Sequence, residues 1–180
     1  ALKLDNLNHP DIIAHTGESH HFFSDMTTKS YPIADGILLT GQYLNSIMDS
    51  RFGTNVDLSG KAGSYLAKYD YDGVLKFLVY TTRQNNLSID LIYGVRTDSS
   101  GNMYIAVNSS GYFYDAAGKV YDLPDGYQTN KHQLIKLYAN GFVEWMLYEQ
   151  YWKPYDVSVD NEENILVIGR RTHNSPRKTL

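Results

Sequence analysis

The sequence predicts an all-β protein, and three observations support that fold class. Residues that favour strands and tight turns dominate, with sixteen tyrosines and fourteen glycines against six phenylalanines, two tryptophans and five prolines. Two segments recur along the chain at fixed spacing, and both have the pattern of short strands joined by turns. The 180 residues are enough to bury a core without cross-links, and the chain has no cysteine. We therefore expect antiparallel strands and less than about 10% helix.

Residues 1–30 are predicted to form an N-terminal arm that contains four of the six histidines. His15, Glu18 and His20 are candidate zinc ligands, because zinc prefers imidazole nitrogen and carboxylate oxygen. Their spacing matches no known zinc-site pattern, and on a strand His15 and His20 point to opposite faces. The favoured interpretation is a polar arm or interface segment, with no metal and no cofactor.

The first repeated element is a hairpin. Residues 66–80 align with residues 134–148 without a gap, at an offset of 68. In both copies an Asp-Gly or Asn-Gly dipeptide, ending at Gly73 and Gly141, separates two runs of apolar and aromatic residues. This is a strong hairpin signal, and it predicts type I′ turns with positive φ at both central residues.

The second repeated element is a strand, a polar turn that opens with aspartate, and a second strand. Residues 93–107 align with residues 155–169 at an offset of 62, and residues 35–41 are a shorter third copy. The second strand is apolar along its whole length, which predicts burial on both of its faces. The chain therefore alternates strand pair, hairpin, strand pair, hairpin, strand pair.

These turns follow one another in a recognisable order. Residues 95–106 read Val-x-x-Asp-Ser-Ser-Gly-Asn-Met-Tyr-Ile-Ala, and residues 134–145 read Leu-Ile-Lys-Leu-x-x-Asn-Gly-x-x-x-Trp. The order resembles the blade of the seven-bladed β-propeller repeat (SBBP) family, and the resemblance covers about residues 31–170. That blade runs through an Asp-x-x-Gly-Asn turn, a variable loop, a Lys-centred strand and an Asn-Gly turn. Residues 37–41 and 63–68 match the same pattern one blade earlier.

The resemblance implies a propeller-like repeat domain at residues 31–171, followed by a tail at 172–180. Its two antiparallel four-stranded blades are expected at about residues 31–81 and 93–149, with a half blade at 155–171. The internal repeats are 62 and 68 residues apart, which is more than the 40–50 residues of common blades. Glu163 replaces the turn glycine in the last copy. About two and a half blades cannot close a ring, since propellers have four to eight.

A second repeat family competes for the first hairpin. Residues 69–73, Tyr-Asp-Tyr-Asp-Gly, also resemble the tyrosine–aspartate repeats of teneurin-like and toxin-cage shells. The equivalent residues 137–141, Leu-Tyr-Ala-Asn-Gly, lack the Tyr-Asp pair. The propeller resemblance is therefore preferred.

The insertion at residues 108–131 is rich in tyrosine, and it contains the candidate ligand-binding residues. Tyrosine combines a rigid ring with one polar tip, which suits stacking on sugars and contact with protein surfaces. The alternative is that these rings pack the insertion onto the sheets. The candidate binding residues are Tyr112, Tyr114, Tyr121, Tyr127 and, before the last strand pair, Trp152.

Charge and motifs exclude several function classes. The net charge of −4 provides no basic field for nucleic acid, and no apolar run is long enough to insert into a membrane. The serines occur in no nucleophile-elbow motif, and residues 60–64 lack the phosphate-loop pattern. We therefore predict a non-enzymatic structural or recognition module. The SBBP resemblance implies that it belongs to an extracellular, cell-surface or virion assembly.

Two alternatives remain open. One is a lectin-like, carbohydrate-binding oligomeric propeller, and the other is a hydrolase or lyase with a metal site on the histidine-rich arm. A half blade leaves strand edges unpaired, which calls for a partner because such edges otherwise promote aggregation. The partner is a longer propeller, identical chains, or neighbours in a larger assembly. Self-association or another protein partner is expected.

Overall fold

The computed structural model describes residues 2–4, 10–12, 26–49, 54–83, 91–121, 131–149 and 152–171. Strands joined by turns make up these segments, which confirms the predicted all-β fold. Within them there is no helix long and apolar enough to cross a membrane. The strands are β1 (Leu2–Leu4), β2 (Pro10–Ile12), β3 (Met26–Ile33), β4 (Gly36–Asp49), β5 (Thr54–Tyr69), β6 (Leu75–Thr82), β7 (Leu91–Thr97), β8 (Met103–Ser109), β9 (Tyr112–Tyr114), β10 (Val120–Tyr121), β11 (Lys131–Leu137), β12 (Val143–Glu149), β13 (Trp152–Val159) and β14 (Ile165–Arg171).

The first sheet has six antiparallel strands in the order β10-β9-β6-β5-β4-β3. The sequence predicted four strands here, and β3 to β6 do form an up-and-down meander. The other two strands come from the tyrosine-rich insertion, whose residues 112–114 pair with residues 80–82 at the outer edge of β6. The predicted four-stranded unit is therefore wrong for this sheet, because the insertion supplies a partner for an edge that the repeat leaves open.

The second sheet has four antiparallel strands in the order β12-β11-β8-β7. This is the number of strands predicted for residues 93–149. The hairpin β13–β14 forms a two-stranded sheet, and β1–β2 forms another. Strand β3 begins at Met26, inside the range assigned to the arm, while residues 172–180 lie outside the described part of the chain. The division into arm, repeat domain and tail stays a prediction.

The sheets stack face to face. The largest apolar cluster lies between the first and second sheets and includes Leu38, Leu66 and Val79 from the first and Ile105 and Ile135 from the second. A smaller cluster joins the other face of the second sheet to β13–β14. Its buried members are Tyr104, Leu134 and Val157. The second sheet is thus covered on both faces, which explains why every residue of β8 is buried.

Five turns share one backbone geometry. The turn at residues 70–74 is typical: the Gly73 amide donates to the Asp70 carbonyl, and the Asp70 amide donates to the Val74 carbonyl. The glycine has a positive φ of 80°, and Glu163 is the only described non-glycine residue with positive φ. The predicted type I′ turn is therefore wrong. The hairpins have a type I turn followed by one left-handed residue, the three-residue hairpin loop that forms a bulge. The left-handed residues of the five turns are Gly73, Gly101, Gly118, Gly141 and Glu163.

Aspartate explains why four of these turns form locally. The Asp98 carboxylate accepts the backbone amides of Ser100 and Asn102 at 2.9 Å each. Asp70, Asp115 and Asp160 make the same pair of bonds to the amides two and four residues later. Bonds of this kind favour a turn over strand continuation.

Candidate functional site

The aromatic residues singled out from the sequence do not form one platform. Tyr112 and Tyr114 lie on β9 and Tyr121 on β10, all in the first sheet. Trp152 begins β13, in a different sheet. Tyr127 lies outside the described residues.

The rings of the insertion pack against the protein. Tyr114 stacks on Tyr80, its partner across the strands, with ring centroids 4.6 Å apart and planes 9° from parallel. Tyr121 contacts Phe113 edge to face, and its hydroxyl donates to the Asp115 carboxylate at 3.1 Å. Burial, and then the hydrogen bond to that carboxylate, raise the pKa of Tyr121 above its usual value. These contacts attach the insertion to the edge of the first sheet.

The candidate metal ligands of the arm, His15, Glu18 and His20, lie outside the described residues. Among the residues that the structure does describe, no group of three or more histidine, cysteine, aspartate or glutamate side chains is placed to hold a metal ion. The metal-dependent alternative therefore depends on the arm alone. Zinc titration by calorimetry tests it.

A cleft of about 250 Å³ separates the first strands of the first two sheets. Tyr31 of β3 and Arg96 of β7 both line it. Burial raises the pKa of Tyr31, and the positive charge of Arg96 opposes that effect. The remaining lining residues are Ser30, Pro32, Ile33, Leu38, Val95 and Thr97.

Cations and tyrosines lie together on β7 and β13. Arg96 forms an ion pair with Asp156 of β13 at 3.2 Å. The ammonium of Lys153 lies 5.2 Å from the ring centre of Tyr93 and 5.6 Å from that of Tyr155. Sequence reasoning missed these residues as a group. The available signal was the alignment of Tyr93 with Tyr155, which places two rings on equivalent first strands.

Two polar side chains are buried on β11. His132 is 7% exposed, and burial lowers the pKa of its imidazole to about 4, with the charge of Lys153 acting in the same direction. Gln133 is 1% exposed, and neither of its amide atoms has a hydrogen-bond partner within the described part of the structure. A buried amide without a hydrogen-bond partner costs free energy, so the amide of Gln133 does not stabilise the sheet.

Among the residues whose exposure the structure describes, the two most exposed large apolar side chains lie on β14. Leu166 is 65% exposed and Ile168 is 60% exposed. By the offset of 62 their equivalents on β8 are Tyr104 and Ala106, which are 1% and 0% exposed. The predicted burial on both faces is thus right for β8 and wrong for β14. Among the described strands β14 pairs with β13 alone, whereas β8 has β7 on one side and β11 on the other.

Comparison with known proteins does not add to this geometry. No protein-family model matches the chain, and no curated protein matches it. Two surface features of the molecule stand out. One is the cleft between β3 and β7, and the other is the edge of β14, which pairs with β13 alone among the described strands.

Proposed function

We propose that this protein is a non-enzymatic structural or recognition module that works by associating with another β-sheet. One observation carries the proposal, namely the contrast between β8 and β14. The two strands are equivalent in sequence, yet the first is covered completely, while the second exposes large apolar side chains and has only β13 beside it among the described strands. Exposed edges with apolar side chains are strong sites of strand addition, and natural proteins normally cover them.

The assignment of the sheets to propeller-like blades is part of the same proposal. We interpret the sheets as propeller-like blades, as the SBBP resemblance implies. Support comes from the meander order of the second sheet, the face-to-face stacking of successive sheets, and the repeated turn geometry. An extracellular, cell-surface or virion setting follows from that resemblance.

The roles of the carboxylates also favour a structural function. Catalytic acid–base pairs need carboxylates that face a substrate. Here the carboxylates of Asp70, Asp98, Asp115 and Asp160 accept backbone amides of their own turns. Their hydrogen bonds support a folding role for these residues.

Light scattering over a concentration series tests the proposal. The wild-type chain should form species larger than its 20.5 kDa mass. Replacing both Leu166 and Ile168 by lysine should give monomers with an unchanged far-UV spectrum, since both side chains are exposed. Val120→Lys is the matched control, because Val120 is also an exposed apolar residue on an outer strand. A wild-type chain that stays monomeric at all concentrations contradicts the proposal.

Carbohydrate binding is a second candidate function, and the β3–β7 cleft favours it. A tyrosine, an arginine and small hydroxyl side chains line the cleft, which suits a polar ring. A glycan array with the wild type and the Arg96→Ala variant tests this function. Binding that the variant loses supports it, and no binding to any glycan class removes it.

A further inference from the structure

The internal repeats make β4, β8 and β14 equivalent, and each is the second strand of a strand pair. Among the described strands, β4 and β8 each have a further strand on their other side. β5 pairs with β4, and β11 pairs with β8. Among the described strands β14 pairs with β13 alone. The inference below rests on the proposed function, because it names the partner of this same edge.

The two complete examples indicate what the third strand looks like. Lys68 of β5 lies opposite Leu38, and Lys136 of β11 lies opposite Tyr104. Leu38 and Tyr104 are both equivalent to Leu166 in the repeats. The strand that completes β14 should therefore place a lysine opposite Leu166 and lead into a three-residue hairpin loop.

The N-terminal hairpin has this sequence. Residues 3–8, Lys-Leu-Asp-Asn-Leu-Asn, align with residues 68–73, Lys-Tyr-Asp-Tyr-Asp-Gly, at an offset of 65. The lysine and the turn aspartate are identical, and Asn8 stands where Gly73 has a positive φ. Asparagine is one of the few residues that adopt that left-handed conformation readily. Beyond the turn, Ile12 aligns with the apolar Phe77.

The pairing of β1 with β2 agrees with this alignment. Each of the three hairpins has five residues between the paired positions that close it. These positions are Leu4 and Pro10 in β1–β2, Tyr69 and Leu75 in β5–β6, and Leu137 and Val143 in β11–β12. β1–β2 therefore has the sequence and the closing register of the outer half of a unit, while β13–β14 has those of the inner half.

We propose that the β1–β2 hairpin of a second copy of this chain pairs with β14, with Lys3 opposite Leu166. Within one chain β1–β2 forms a sheet of its own, and among the described strands β14 pairs with β13 alone. Two copies that exchange hairpins give each β14 a neighbouring strand. The expected assembly is a dimer with two reciprocal contacts.

A disulfide placed across this contact tests the proposal in the full chain. The protein has no cysteine, so every disulfide joins introduced residues. Residues that lie opposite each other in an antiparallel pair are close enough to bridge. The variant with Lys3→Cys and Leu166→Cys should therefore oxidise to a covalent dimer of twice the chain mass, read by non-reducing electrophoresis and intact mass. The variant with Lys3→Cys and Val120→Cys is the matched control and should not give that dimer efficiently.

The outcomes separate this inference from the proposed function. A covalent dimer whose peptide map links residue 3 to residue 166 supports the inference. A cross-linked monomer means that the hairpin pairs within its own chain and overturns it. Association by light scattering without this link also overturns it, while the proposed association through β14 stands. A wild-type chain that never associates ends both.

Discussion

The hairpins β5–β6 and β11–β12 have the same backbone and different polar side chains. Their strand registers agree residue for residue at the offset of 68, so that Leu66 with Val79 corresponds to Leu134 with Leu147. Even the shift in register before the turn falls at the equivalent position in both. Local turn geometry and apolar spacing therefore determine the backbone, independently of the charges that it carries.

The two lysines with little-exposed side chains, Lys68 and Lys136, show how the charges differ. Lys136 pairs with Glu144 on its own hairpin at 3.1 Å, and this hydrogen bond raises the pKa of Lys136. The residue equivalent to Glu144 in the first hairpin is Lys76, which pairs with the turn residue Asp70. Lys68 instead pairs at 2.8 Å with Asp35, from the turn between β3 and β4. A buried lysine needs a carboxylate, but the fold does not determine which strand or turn provides it.

The largest expected effect concerns the turn that joins β11 to β12. Gly141 has a positive φ of 85°, and an added Cβ would lie 2.8 Å from Ala116 and 2.9 Å from Phe77. Gly141→Ala should therefore combine backbone strain with overpacking and lower the free energy of unfolding by about 3 kcal/mol. Gly118→Ala is the control, since Gly118 has a similar φ of 75° and open space around it. Its expected cost is about 1 kcal/mol, and equal losses in urea unfolding would contradict the packing argument.

A pH effect should distinguish the two hairpins next. His132 corresponds to Ser64, whose hydroxyl hydrogen-bonds Thr81 and does not titrate. The pKa of His132 is about 4 in the folded chain and 6.5 in the unfolded chain, so the unfolded state binds the extra proton. Stability should fall as pH decreases from about 6.5 to 4, by about 2–3 kcal/mol, and change little through this group below pH 4. In the His132→Ser variant this dependence should disappear from urea titrations, and an unchanged slope would assign it to other groups.

The charge difference itself is tested by making the second hairpin resemble the first. Glu144→Lys places at residue 144 the charge that Lys76 carries in the first hairpin, and leaves Lys136 without its carboxylate. Lys136 has a side chain only 13% exposed. The expected loss is about 2 kcal/mol, less than for a fully buried pair. Glu144→Gln keeps an acceptor and should cost about half as much, so equal losses in thermal unfolding would argue against a role for charge.

The smallest expected change in stability concerns two equivalent turns, one with Glu163 and the other with Gly101 at the left-handed position. Glu163 adopts a φ of 63°, where the equivalent Gly101 has 80°. Glu163→Gly should raise stability by about 0.5–1 kcal/mol, because relief of strain exceeds the entropy cost of glycine. Gly101→Ala is the reciprocal variant, and its Cβ would make only an ordinary contact at 3.5 Å with Ala139. It should lose about 1 kcal/mol, and a gain in its place would show that φ does not control these turns.

The candidate functional features were only partly predictable. Repeat spacing predicted a strand pair at residues 155–169, and the structure contains it as β13–β14. The exposure of Leu166 and Ile168 was not predictable, since an apolar strand has the same sequence pattern whether or not a neighbour covers it. The cluster of Arg96, Lys153 and the tyrosines was also missed, because residues far apart in sequence meet there only through sheet stacking.

The sequence by itself determined the all-β fold and the positions of the hairpins, because these depend on turn residues and on apolar spacing within short segments. The strand register was not obtained in this way, since the hairpins have a three-residue loop in place of the predicted type I′ turn. Tertiary structure alone decided that the insertion pairs with β6, that Tyr114 stacks on Tyr80, and which carboxylate pairs with each lysine. Such contacts depend on which edges and charges remain unpaired after the local elements have formed. The physical reason is that a strand edge or a buried charge accepts any partner of suitable geometry, so local sequence does not specify the partner.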